Sequence, residues 1–221
     1  MDQSARTFKA AIFDMDGLIL DSERTVLNIW EKIGEKYGFE NIRAYGISVI
    51  GKNKKATIDE FERVYGESGV PYEKELRAVY NEMAQKGEVP LKPNTLELLN
   101  AMKSAGMKIA IASSSTREEI TSQLGPLGAL ELFDAVVSGD QVTRSKPDPE
   151  IFLKACDALN VKPEESLGLE DSYNGVRSCK ASGLYTIMVP DLIAPNDEMK
   201  DLADIILPSL KDVQAFLEGF L

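Results

Sequence analysis

A parallel α/β sheet interrupted by a helical insert is the fold class that this 221-residue sequence predicts. Three observations carry it. Short apolar runs recur at the length of buried strands, amphipathic stretches lie between them, and over residues 22–90 that alternation stops. Strands alternating with helices argue for parallel pairing through right-handed crossovers. A chain of this length buries roughly 70% of its unfolded surface, enough for a substantial core.

The first run, residues 8–13, is apolar apart from Lys9 and stops at Asp14, as a buried strand would. Runs of the same kind occupy 108–112, 135–138, 166–169, 185–189 and 204–207. Asp148-Pro149 supplies an N-cap and a first-turn proline for a helix whose Phe152, Ala155 and Leu159 share one face. Ser172 can cap the next helix, and residues 210–220 form the last. Inside the insert, Val26, Ile29, Trp30, Ile33 and Tyr37 fall at helical spacing, with Gly38 as a C-terminal stop. Helical stretches at 57–65 and 72–83 follow across glycine-rich joints, and Trp30 and the methionines read as core. The expected domains are therefore an α/β core, 1–21 and 91–221, and a helical insert, 22–90.

Charge and composition remove several classes of function. The formal charge is −11 and the pI about 4.7. A general nucleic-acid binder would rest on a basic face, so none is expected. No apolar run is long enough for a membrane span, and residues 1–9 lack an apolar signal core. Cys156 and Cys179 are too few for a disulfide framework and read as small buried residues of a cytoplasmic protein. The chain has no histidine, which removes Ser-His-Asp hydrolysis, Cys-His proteolysis and His-ligated zinc together. Residues 22–90 hold 11 basic and 12 acidic residues, leaving 14 and 24 for the remainder. An anionic ligand would thus need a locally positive pocket built from a metal, a lysine or helix N-termini.

Ligands of open parallel sheets gather beyond the carboxyl ends of the strands. There the sequence sets Asp14-Met15-Asp16-Gly17, Ser113-Ser114-Ser115-Thr116, Ser145-Lys146-Pro147-Asp148-Pro149 and Glu170-Asp171-Ser172. Asp14 and Asp16, two apart on an extended chain, point the same way, and Gly17 permits a sharp turn. Asp14, Asp16, Glu170 and Asp171 at one mouth would repel by about 4 kcal/mol per close pair at an effective dielectric near 20. A hard divalent ion relieves that repulsion, and carboxylate oxygens with water favour Mg²⁺. Ser113 is either ordinary loop chemistry or a phosphate-cradling hydroxyl beside backbone N–H groups. Lys146 is a surface lysine or a fixed positive charge held by Pro147. In the insert, Gly51 and Lys52, with Lys54 and Lys55 beside them, are either a solvated loop or substrate contacts.

Together these stretches resemble the haloacid dehalogenase superfamily, more narrowly its cap-bearing β-phosphoglucomutase-like and sugar-phosphate phosphatase branch. The matching segments are Phe13-Asp14-Met15-Asp16-Gly17-Leu18-Ile19 with Asp21-Ser22-Glu23, Ala112-Ser113-Ser114, Gly139-Asp140, Ser145 to Phe152, and Leu169-Glu170-Asp171-Ser172 with Asn174-Gly175-Val176. The resemblance implies a Rossmann-like core with the insert as a helical cap, closing to exclude water and supply substrate contacts. It implies Asp14 as a nucleophile forming an aspartyl-phosphate, and Asp16 as the acid and then the base. It also implies Mg²⁺ held by Asp14, the Asp16 carbonyl and Asp171 with Glu170 close by. Phosphoryl oxygens would be held by Ser113, the Ser114 backbone and Lys146.

The implied partner is a small phosphorylated metabolite, and nothing demands more than a monomer. A phosphomutase is the rival reading, although β-phosphoglucomutases carry a histidine in the first cap helix that this chain cannot have. Dehalogenases of the superfamily lack the second aspartate, and phospho-accepting receiver domains lack a helical insert after the first strand. One departure is Lys92-Pro93-Asn94 where many relatives have Pro-Gly; asparagine tolerates left-handed geometry, so the turn should survive.

Overall fold

In the computed structural model, which describes residues 7–50 and 54–220, four consecutive buried side chains make β1 (Ala10–Phe13) a strand covered on both faces. Such continuous apolar runs suit a central parallel strand. The others are β2 (Lys108–Ala112), β3 (Ala135–Val137), β4 (Ser166–Glu170), β5 (Tyr185–Met188) and β6 (Ile205–Ile206). They form one sheet in the order β3-β2-β1-β4-β5-β6, with every neighbouring pair parallel. Phe13 lies level with Ile111 on one side and Leu169 on the other. The chain runs outward from β1 to β2 and β3, then crosses to β4 on the opposite side, a reversal of the kind that opens a crevice at the strand ends.

The chain divides into two compact units: the residues up to Leu20 with those from Leu91 onward, and Asp21–Pro90. The Asp21–Pro90 unit is helical, with α1 (Ser22–Tyr37), α2 (Ile42–Ser48), α3 (Lys54–Tyr65) and α4 (Val70–Gln85). Trp30 stacks on Phe61 at 5.9 Å between centroids, and Tyr45 meets both rings edge-on. Gly38 closes α1 in the left-handed conformation, as its position suggests. Helix α2 is not apparent in the sequence. It is only seven residues long and has no side-chain cap, and its packing rests on Gly46, where a Cβ would meet Leu27 at 2.6 Å. Tertiary packing, not local signal, makes it a helix.

The sheet-bearing unit adds α5 (Thr95–Ser104), α6 (Arg117–Leu124), α7 (Glu150–Leu159), α8 (Tyr173–Ala181), α9 (Asp197–Leu202) and α10 (Leu210–Leu217). Ala10, Ile12, Ala110 and Ala112 join Phe152, Ala155, Leu159 and both cysteines in one buried cluster. The alternate strand residues Ala11, Phe13, Ile109 and Ile111 are equally buried. Helix α7 begins one residue later than the sequence suggests. Pro149 is its N-cap, while Asp148 Oδ1 accepts from Glu150 N at 3.0 Å. Asn94 takes the left-handed conformation (φ 69°) ahead of α5, so the turn survives without glycine. Cys156 and Cys179 are buried and unlinked. Among the described residues no helix is long and apolar enough to cross a membrane.

Candidate active site

Because β1, β2 and β4 run in register, the residues that follow them emerge at one level of the sheet. Asp14 extends the β1 ladder, its N–H donating to the Leu169 carbonyl at 3.0 Å. The chain then turns sharply. Gly17, with φ +79°, donates to the Leu20 carbonyl at 3.0 Å, and Leu20 donates to Met15. A Cβ at Gly17 would come within 2.2 Å of Asp171 Oδ2, so only glycine lets the β1 loop pass this close to the β4 loop.

Lys146 arrives from the loop after β3, ahead of a cis peptide to Pro147. Its Nζ donates to Asp14 Oδ1 at 2.6 Å, Glu170 Oε1 at 2.5 Å and the Ala112 carbonyl at 2.9 Å. The same ammonium lies 5.0 Å from the centre of the Phe152 ring. Side-chain exposure is 7% for Lys146, 11% for Asp14 and 0% for Glu170, so these charges meet away from bulk water. Burial alone would lower the Lys146 ammonium, but the Asp14 and Glu170 carboxylates outweigh it and hold its pKa above the usual lysine value. Glu170 is raised as well, which for a carboxyl favours the neutral form. Burial pushes its carboxyl up and Asp14 adds repulsion, against the pull of Lys146.

Carboxylate oxygens of Asp14, Glu170 and Asp171 all lie within 4.8 Å of one another. This all-oxygen set suits a hard divalent cation, and one ammonium does not balance three carboxylates. Glu170 is further fixed by Ser172, whose hydroxyl donates to Oε2 at 3.1 Å and caps α8 by accepting from Gly175 N. Gly175 is required there too, since a Cβ would fall within 2.0 Å of the Glu170 carboxylate. Asp16 stands outside the trio, its Oδ2 accepting from Ser115 Oγ at 3.0 Å.

Past β2, Ser113 is buried and its N–H donates to the Val137 carbonyl at 3.1 Å. Its hydroxyl accepts from Ser115 N at 3.1 Å. Ser114 is exposed, and Thr116 caps α6 in a reciprocal capping box with Glu119. The structure thus brings Asp14, Lys146, Glu170 and Asp171 together, with Asp16 and Ser113 linked through Ser115. Gly51 and Lys52 lie outside the described residues.

Two contributors escape sequence reading. Ser115 stands in a run of hydroxyls with nothing to single it out. Glu150 accepts from Thr143 N, Thr143 Oγ1 and Arg144 N at 2.7 to 3.1 Å, tying the start of α7 to the loop that delivers Lys146. The Thr143 hydroxyl first, and next the Lys154 ammonium 2.9 Å from Oε1, pull the Glu150 carboxyl down to about 2.

The fold, the strand-end acids and the buried lysine define a class of hydrolytic enzyme, and comparison with known proteins gives its family. Residues 11–189 match the haloacid dehalogenase-like hydrolase family, and the chain belongs to it. It is 31% identical to hexitol phosphatase B of Escherichia coli K12, over 95% of this chain and 96% of that one. It is 30% identical to a phosphorylated carbohydrates phosphatase of Thermotoga maritima, over 81% and 83%. A Thermotoga maritima crystal structure, described only provisionally as a β-phosphoglucomutase, superposes with a TM-score of 0.81 at 27% identity. That match covers 97% of this chain and 100% of that one.

Proposed function

We propose that this chain is a Mg²⁺-dependent phosphatase of small phosphate monoesters, of sugar-phosphate or nucleoside-monophosphate type, working through phosphorylation of Asp14. The observation that carries the reading is the division between the two aspartates. Asp14 lies with Lys146 and the acidic trio, whereas Asp16 stands apart on Ser115. The relatives' action on phosphorylated carbohydrates supports the substrate class.

The reaction needs a nucleophile, a proton donor and compensation for charge on the phosphoryl group. An Asp14 carboxylate oxygen attacks phosphorus while the bond to the sugar oxygen breaks. Asp16, in its acid form, passes its proton to that leaving oxygen. Water then attacks the same phosphorus, Asp16 takes a proton from it, and the bond to Asp14 breaks to release phosphate. One ester and one water become one alcohol and one phosphate, and both aspartates return to their starting state. Splitting the displacement in two lets a single acid–base residue serve both halves.

Asp14, Asp171 and the Asp16 backbone carbonyl, with Glu170 close by, would hold Mg²⁺. Bound there, it would supply positive charge to the transferring phosphoryl group. Lys146 is a fixed ammonium at the nucleophile, neutralising charge while orienting Asp14. The Ser113 hydroxyl and the Ser114 backbone would donate hydrogen bonds to phosphoryl oxygens. Unaided phosphate-monoester hydrolysis is slow enough to need acceleration approaching ~10²¹, so several preorganised charges must share the task. The Asp21–Pro90 unit is the proposed cap, with Gly51 and Lys52 as its candidate substrate contacts.

The test is phosphate release from a panel of sugar and nucleotide monophosphates, with Mg²⁺ and with chelator, for wild type and Asp14→Asn. Release that requires the metal and is lost in the variant is expected. The structural neighbour described as a β-phosphoglucomutase favours a second reading, a phosphomutase on the same core. Isomerisation of a hexose 1-phosphate, primed by a bisphosphate and without net phosphate release, would select it.

A further inference from the structure

We infer that Ser115 is a positioning residue for Asp16, an inference that rests on the phosphatase reading above. Its hydroxyl donates to Asp16 Oδ2 at 3.0 Å. What makes this contact a built one is how the serine is itself held. Its N–H donates to the Ser113 hydroxyl at 3.1 Å, and its carbonyl accepts from Gly139 N at 2.8 Å. Gly139 can approach only because it has no side chain, since a Cβ there would fall 2.1 Å from the Ser114 carbonyl oxygen. On the far side, the Thr116–Glu119 capping box fixes the start of α6. With its main chain held on both sides, the Ser115 hydroxyl has one rotatable bond left for aiming at Asp16.

The chemistry explains why aiming matters. A general acid works within roughly 2.6–3.2 Å of the atom it protonates. A displacement of about 1 Å can cost ~10²-fold in rate. With Oδ2 accepting from Ser115, the plane of the Asp16 carboxyl is held in one orientation. The same arrangement accounts for a glycine at position 139, beyond β3.

A serine that merely staples two loops would make the same bond, so the test must separate aiming from stapling. The value of kcat/KM covers events through cleavage of the ester bond. A sugar alkoxide needs a proton to leave, whereas p-nitrophenolate leaves without one. Ser115→Ala should therefore lower kcat/KM for a sugar phosphate about tenfold or more, against less than about threefold for p-nitrophenyl phosphate. Ser115→Thr, which keeps the hydroxyl, should recover most of the loss. Equal losses on both substrates, or no loss on either, would overturn the positioning role while leaving the phosphatase reading intact. A wild type that releases phosphate from neither substrate would overturn the phosphatase reading and this inference with it. A thermal midpoint for Ser115→Ala alongside the kinetics confirms that the folded variant is what is measured.

Discussion

Lys146 is the only cation bonded to two of the site's acids in the described residues, and its setting shows how a buried charge is tolerated. Removing one partner of a buried pair commonly costs about 3–5 kcal/mol, because the other charge is left uncompensated. Here the ammonium answers Asp14 and Glu170 at once and satisfies a third direction with the Ala112 carbonyl. Its loop depends in turn on Glu150. The Thr143 hydroxyl, more than any other group, pulls that carboxyl from the usual 4.5 down to about 2. A group depressed on folding adds stability above its unfolded pKa and loses it as pH falls through the folded one. Glu150→Gln should therefore lower the thermal midpoint at neutral pH. The gap to wild type should close as pH falls from about 4.5 toward about 2. An unchanged gap across that window would show that the Glu150 charge is not what holds the loop.

At the scale of elements, the site is made by close passage of loops, which Gly17 and Gly139 permit. Gly17 combines φ +79° with a neighbour 2.2 Å from where a Cβ would stand, and that neighbour is Asp171. Gly17→Ala should displace the Asp171 carboxylate and, on the proposed reading, raise the Mg²⁺ concentration for half-maximal activity by about 10–100-fold, the range for groups supporting a metal ligand. Titration of activity with Mg²⁺ checks this, and an unshifted half-saturation would count against Asp171 as a ligand. The β1, β2 and β4 ends were readable in the sequence because parallel strands give continuous apolar runs that stop where polar residues begin. The Asp14, Ser113 and Glu170 positions follow directly from those stops. Helix α2 was not readable because it depends on packing against α1, while the late start of α7 and the Glu150 clamp rest on short-range side-chain bonds to Asp148, Thr143 and Arg144 whose geometry no apolar pattern announces. Asp191 is a similar case. It pairs with Lys92 on the return segment after residue 90, a link across 99 positions that no local pattern announces.

For the whole molecule, an acidic body of formal charge −11 belongs to a family whose relatives here handle anionic esters. On the proposed reading bulk charge cannot recruit such a substrate, so attraction would come from Lys146 together with a cation held by the acidic cluster at the mouth of the sheet. On the same reading, acid–base work in a chain without histidine falls to a carboxyl group, and the different partners of Asp14 and Asp16 would supply two environments for two roles. That division is the central claim, and it predicts a covalent intermediate on one aspartate. The decisive measurement is rapid acid quench during turnover with Mg²⁺ and substrate, followed by borohydride reduction and mass spectrometry of the peptides. The account predicts modification of the peptide carrying Asp14, at Asp14 and absent when substrate is omitted. Turnover with phosphate release but no modification at Asp14, or modification at Asp16 instead, would contradict it.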